Sequence, residues 1–265
     1  MPLFEGIKQF ENVSPGLQWA IFIVGALILV VALFSIIISI WLSIKYIVYN
    51  RTMNKAGING KDAARKILDK HGLEKIKISV VGSALFGNSY SHFFKKIRLR
   101  RFTVKKNSIS SLAMGAQKSA LAILDKEGDK DMRTRIILTP ITFFGPFMFV
   151  PIIIVGVLLD IIFFNFTGVI TLVAAAIGIG FFVLSFILSL MVLKTETKAQ
   201  ARALTILEEE NLATKEEREM MKSLFKLYNI EYVNDLILEF LEIVLRIFLI
   251  VARVQNSSSS SSSSN

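Results

Sequence analysis

The chain has 265 residues, 53% of them hydrophobic, and a mean hydropathy of +0.56, a balance that excludes an ordinary globular domain and fits a membrane protein with a modest soluble part. It has no cysteine and only two histidines, His71 and His92, which excludes disulfides, thiolate metal sites and cysteine nucleophiles and leaves few candidates for metal or acid–base chemistry. The formal charge of +10 is concentrated, with 21 Lys and Arg against 7 Asp and Glu in residues 45–135, and 10 against 14 elsewhere.

Residues 1–16 are short, mildly acidic and close on the turn signal Ser14-Pro15-Gly16. Leu17 to Ile44 holds no charged residue and exceeds the roughly 20 apolar residues that cross a bilayer. It lacks a basic leader and a small-residue cleavage site, so it reads as an uncleaved anchor rather than a signal peptide. Lys45, Arg51 and Lys55 follow at once, against Lys8 alone on the other flank. The positive-inside rule then predicts an integral cell-membrane protein with its N-terminus outside and residues 45–135 in the cytoplasm.

That cytoplasmic stretch reads as a small α+β module. Lys61 to Lys70 predicts a helix with Ala63, Ala64, Ile67 and Leu68 on one side and Gly72 at its end. Lys75 to Val81 predicts a strand, followed by a Gly- and Ser-rich loop over residues 82–91. Ile97 and Leu99, then Phe102 and Val104, predict a second strand or hairpin arm among basic residues. Ser108 is placed to cap a further helix running to Gly128, whose Ile109, Leu112, Ala113, Ala116, Ala120 and Ile123 recur at helical spacing as one apolar face of small residues.

Residues 136–193 are nearly unbroken apolar sequence and predict a transmembrane hairpin. Pro140, Pro146 and Pro151 are expected to kink or break its first span, and Asp160 to sit at a solvated turn. Residues 194–232 return to a cytoplasmic helical segment. In residues 233–254, Asp235, Glu239, Glu242, Arg246 and Arg253 form a narrow charged stripe on a helix that either lies in the interface or inserts. Residues 255–265 form a Ser-rich tail expected to be disordered. The predicted fold is thus a mainly α integral membrane protein, with an N-terminal anchor helix, a small cytoplasmic α+β module, a transmembrane hairpin and a C-terminal amphipathic or membrane helix.

Five collinear segments carry a family resemblance: GKDAARKILDKHGL at residues 60–73, KKIRL at 95–99, Ser108 to Asp125, PITFFG at 140–145 and TETKAQARAL at 195–204. From about Arg51 to Arg253 the chain resembles the membrane-bound neutral zinc metallopeptidases of the YugP type. The resemblance implies a catalytic helix of the pattern A-H-E-V-G-H-A-I-Q, in which two histidines four apart bind zinc and the glutamate between them activates water. Aligned without gaps from KKIRL, the histidine positions here are Gln117 and Leu121, and the base position is Lys118. The third ligand that the family draws from a glutamate after the hairpin corresponds to Glu196. One carboxylate does not make a catalytic zinc site, and a lysine cation repels a metal ion. The expected metal and cofactor are none, and the expected product of this divergence is an inactive homologue: a former metallopeptidase helix that still packs, or a remodelled pocket in which Lys118 pairs with Glu196. Simple decay is the favoured of those two.

Other signatures lead nowhere further. Gly178-Ile179-Gly180 lacks the aspartate of an intramembrane aspartyl protease and is expected to allow close helix packing. Ser185 and Ser189 have no histidine nearby in sequence and are expected to face a neighbouring helix. The basic run Lys95, Lys96, Arg98, Arg100, Arg101, Lys105 and Lys106 is expected to meet anionic lipid headgroups rather than nucleic acid, since only Phe93, Phe94 and Phe102 offer aromatic surface beside it. The function read from the sequence is a membrane-embedded pseudoprotease that binds or scaffolds other membrane proteins. The alternative is a transport or channel subunit in which Asp160, the three prolines and the stripe near Glu239 line a path.

Overall fold

A computed structural model describes residues 13–81, 87–164 and 168–262, and the side chains within them except at 140–150, 164, 254 and 257–262. The elements are α1 (Pro15–Arg51), α2 (Gly60–Lys70), β1 (Lys77–Val81), β2 (Ser89–Ser91), β3 (Lys96–Arg100), α3 (Arg101–Lys105), α4 (Ile109–Lys126), α5 (Lys130–Phe164), α6 (Val169–Glu209) and α7 (Lys215–Ser262). The described chain is mainly helical, and α1 and α6 are long and apolar enough to cross a membrane. Residues 1–12 of the expected external segment, 82–86 of the expected loop and 263–265 of the serine tail lie outside the described residues, as do the side chains of PITFFG. Helix α7 continues to Ser262.

The chain divides into two compact units. The first comprises Met1–Ile37, Met148–Phe186 and Val233–Asn265 and is mainly helical where described. Two expectations are corrected within it. Asp160 is fully buried rather than solvated, and its carboxylate accepts from the backbone N–H (3.3 Å) and hydroxyl (3.0 Å) of Thr171 in the first turn of α6, where unpaired helix N–H groups need an acceptor. A methyl on Gly180 would meet nothing within 4 Å, so that glycine does not serve close packing; Gly156, whose added Cβ would lie 2.3 Å from Ala174 Cβ, does. Of the predicted charged stripe, Asp235 accepts a hydrogen bond from Ser35 at 3.4 Å. Helix α5 is continuous through Pro140, Pro146 and Pro151, where a broken helix was one expectation.

The second unit comprises Ile38–Phe147 and Ile187–Tyr232. Here α2 starts at Asn59, whose side chain accepts from the N–H groups of Lys61 and Asp62, both at 2.9 Å. It stops where Gly72 turns left-handed (φ +64°) and the Leu73 N–H reaches back to Leu68 O at 2.9 Å. Its predicted apolar side, Ala63, Ala64, Ile67 and Leu68, is completely buried. Strands β1 and β3 pair in parallel with Ile78 opposite Ile97 and Val80 opposite Leu99, and β2 pairs antiparallel with β3 on its other edge. Phe102 and Val104 do not extend a strand. They belong to the short helix α3, which leaves Phe102 exposed.

Helix α4 is the centre of this unit. Ser108 caps it as expected, accepting from the Ser111 N–H at 3.2 Å, and Gly128 (φ +70°) follows its end. One face was expected to be apolar, yet every residue from Ile109 to Leu124 is buried. Leu68, Ile76, Ile97, Leu99 and Ala122 form one apolar cluster beneath the sheet. Ala113, Ala116 and Ala120 belong to a larger one with Ile67, Ala199, Ile206 and Leu224, drawn from α2, α6 and α7. Small side chains make such enclosure feasible because neighbouring backbones can approach closely. A Cβ added to Gly115 would stand 2.2 Å from Gly60 O, and one added to Gly60 would stand 2.3 Å from Ser111 O. We therefore expect Gly115→Ala to lower stability in detergent by at least the ~1–3 kcal/mol typical of an overpacked core. Gly180→Ala, measured in the same thermal unfolding assay, should not lower it.

Candidate functional site

Three helices of the second unit converge on one carboxylate. Gln117 and Lys118 lie near the middle of α4, Arg135 in the second turn of α5, and Glu196 beyond the apolar part of α6. The start of α5 is anchored beside α6 by charge. Asp129 accepts from the Met132 N–H at 3.1 Å and pairs with Lys198, while Lys194 Nζ reaches Asp131 Oδ1 at 2.7 Å. Lys194 and Lys198 are four residues apart and share one helix face. Glu196, two positions from each, projects about 200° away around the helix, toward α4.

There it is surrounded by donors. Lys118 Nζ stands 3.0 Å and Gln117 Nε2 2.8 Å from Glu196 Oε2, and Arg135 Nη2 stands 2.6 Å from Oε1. The Lys118 side chain is 9% exposed, Arg135 18% and Glu196 19%. Burial pushes the Glu196 carboxyl up, but the Lys118 ammonium and the Arg135 guanidinium pull it down harder, and their hydrogen bonds add to this, so that it sits at about 2 instead of 4.5. Arg135 Nη1 is buried and has no partner among the described residues, a cost of roughly 1–3 kcal/mol for an unmet donor.

The structure thus brings together Gln117, Lys118 and Glu196, and adds Arg135, which sequence reasoning counted only as a flanking charge. Its signal was positional: it is the last basic residue before the apolar stretch beginning at Ile136 and so lies close to the returning end of the hairpin. Leu121 is a core side chain, 1% exposed, in the larger apolar cluster. Both histidines lie elsewhere. His92 Nδ1 is 2.7 Å from Asp125 Oδ2, a carboxylate that also accepts from the Tyr90 hydroxyl, and His71 Nδ1 is 2.9 Å from Ile67 O. Three cations of the basic run meet groups of the chain itself. Lys95 approaches Asp125 (3.4 Å), Arg98 lies over the Phe94 ring and Lys106 over Phe102.

A family model described as "Putative neutral zinc metallopeptidase" matches residues 23–252. No curated protein and no solved structure matches the chain. The zinc that this description implies can be tested against the donors present. A zinc site draws on thiolate, imidazole or carboxylate ligands, three of them from the protein when the site is catalytic. Here Glu196 is the one such ligand, and both its oxygens already accept from Lys118, Gln117 and Arg135. An ammonium and a guanidinium have no lone pair to offer a metal. Among the described residues no group of three His, Asp or Glu side chains gathers elsewhere. The residues around Glu196 do not fit zinc.

The depressed Glu196 carboxyl carries a pH signature. Its contribution to stability is full above about pH 4.5 and is lost as the pH falls toward 2, because protonation removes the counter-charge of Lys118 and Arg135. Glu196→Gln should lower stability at neutral pH by about 3 kcal/mol, the usual cost of stranding buried charge. It should also flatten the acid limb of stability between those two pH values. Chemical denaturation of wild type and variant across pH 2–7 measures both effects.

Proposed function

Because the chain belongs to the neutral zinc metallopeptidase family, we propose that it is a membrane-embedded pseudopeptidase, in which cations of the chain itself occupy the place of the metal and which binds or scaffolds other membrane proteins without cleaving them. The observation that carries this reading is the Glu196 cluster, with Lys118 and Arg135 both within 3.0 Å of its oxygens. Metallopeptidase chemistry needs a Lewis-acidic ion and a base to take a proton from water. Lys118 stands at the base position and is instead a donor, committed to Glu196. Gln117 likewise donates, so neither residue is arranged to accept a proton. What the residues do in place of catalysis is tie α4, α5 and α6 together.

Membrane insertion is part of the proposal. The α1 side chains Trp19 and Trp41 are 65% and 55% exposed and 22 positions apart. That is about 33 Å of helix, close to the ~30 Å hydrocarbon thickness, with tryptophans at the depths where they favour the interfaces. The flanking charges support an external N-terminus and a cytoplasmic location for residues 45–135.

Metal analysis of the chain purified from membranes, with a peptide-cleavage assay, tests the pseudopeptidase reading. The expected result is far less than one zinc per chain and no zinc-dependent cleavage. Stoichiometric zinc that disappears in Glu196→Ala would sink it. Restoring the family pattern with Gln117→His, Lys118→Glu and Leu121→His should create a zinc site that depends on Glu196. Crosslinking in native membranes tests the scaffold role: a membrane-protein partner should be recovered intact at near-stoichiometric yield.

A further inference from the structure

Where α1 ends, the chain builds a cavity of about 460 Å³ that plays no part in the Glu196 cluster. Its walls are the last residues of α1, Asn50 and Arg51, with Met53 beside them, facing Lys105 at the end of α3 and Lys106, Asn107 and Ser108 from the α3–α4 connection. The two walls are fastened by backbone. Met53 and Ser108 form an antiparallel bridge, Ile109 N–H donates to Thr52 O at 3.0 Å, and Asn54 N–H donates to Asn107 O at 2.9 Å. The Asn107 side chain adds a bond to Gly57 O at 2.7 Å. The two walls are therefore fastened by main-chain hydrogen bonds and not by the cationic side chains.

Its charge is one-sided. Arg51, Lys105 and Lys106 contribute three cations, no carboxylate lines the walls, and among the described residues none of the three is paired with a carboxylate. Its depth is also defined. Arg51 stands seven residues past Ile44, the last residue of the uncharged stretch, which is about 10 Å along a helix. Measured from Ile44, that is a little beyond the headgroup layer, which extends the hydrocarbon core by roughly 5–8 Å on each side, and within reach of it for a long cationic side chain. A fixed, cation-lined cavity just past the end of an apolar helix calls for an anion at the membrane surface.

We infer that this cavity seats the phosphate of an anionic membrane lipid, held by Arg51, Lys105 and Lys106. The inference rests on the reading of α1 as a membrane span. It singles out Lys105 and Lys106 from the basic run and gives them a partner in Arg51, while Lys95 is turned toward Asp125. The shared chemistry is a phosphate group, which a lipid headgroup or free inorganic phosphate could both present. A lipid headgroup is favoured because the cavity is lined by the last residues of the helix that carries the apolar span.

Native mass spectrometry of the full chain in neutral detergent, titrated with phosphatidylglycerol, with phosphatidylcholine and with inorganic phosphate alone, tests it. The expected result is a phosphatidylglycerol adduct preferred over phosphatidylcholine. Its affinity should fall roughly a hundredfold in the Arg51→Gln/Lys105→Gln/Lys106→Gln variant, at about fivefold per cation near a lipid surface. The Lys95→Gln/Lys96→Gln variant should change it by less than about twofold if the cavity, and not diffuse surface charge, is responsible. An unaltered affinity in the triple variant, or an equal loss in the control pair, overturns the site. Binding of inorganic phosphate without any lipid preference overturns the lipid assignment. Failure of the span reading shows separately, as a chain that leaves the membrane without detergent.

Discussion

Burying the Glu196 carboxylate among three helices demands positive charge close by, and Lys118 and Arg135 supply it from two different elements. The geometry of the second unit depends on that exchange. Helix α4 must stand at one height to present Lys118, and α5 must enter at one angle to present Arg135. The exposed pairs of Lys194 and Lys198 with Asp131 and Asp129 guide α5 to the same place from outside. A buried ion pair adds little net stability over an apolar contact, since desolvation cancels most of the attraction. Its effect is specificity: a shifted register leaves an uncompensated charge inside. In a zinc enzyme of this family the resemblance assigns that cross-linking to a metal bound by α4 and α6. On the proposed reading the chain performs it with its own cations, and the fold persists without the chemistry.

The second constraint is the size of the side chains on α4. A helix enclosed on every side has no face on which to place a large residue without pushing a neighbour away. The contact of Gly60 with Gly115 sets how near α2 comes, and Ala113, Ala116 and Ala120 allow α6 and α7 to close over the opposite side. Ser119, fully buried, returns its hydroxyl to Gly115 O at 3.0 Å, so that enclosure leaves no unmet polar group there. Gln117 and Lys118 are the long polar side chains of the enclosed stretch of this helix. Glu196 accepts from both.

The same physical logic separates the cations of this chain into kinds. Lys118 is buried and Arg135 part-buried, and both pair with Glu196. Lys194 and Lys198 are exposed and paired at the surface, where such bridges are worth little by themselves. Arg51, Lys105 and Lys106 line a cavity without a matching carboxylate. A single figure of net charge hides these distinctions, which only the placement of each side chain resolves.

Periodicity and local chemistry were sufficient for much of the architecture. The uncharged stretch of α1, the apolar side of α2 with Gly72 after it, the strand at Lys77–Val81 and the Ser108 cap of α4 all follow from short-range rules, in which a residue's conformation depends on its near neighbours. The absence of histidine at positions 117 and 121 was equally plain. Beyond that range the sequence was silent or misleading. Phe102 and Val104 alternate as a strand would, yet the chain turns into α3 after Arg100. Asp160 looked solvated because hydrophilic residues at turns usually are, whereas the start of α6 requires its carboxylate. The all-round burial of α4 was invisible because a helical wheel records one helix and not how many others surround it. Arg135 and Glu196 are 61 residues apart, and their 2.6 Å contact exists only once α5 and α6 have folded back to the same level. Local spacing determined which helices form and which ligands are missing; tertiary packing alone decided what stands in their place, because charge compensation acts through space and not along the chain.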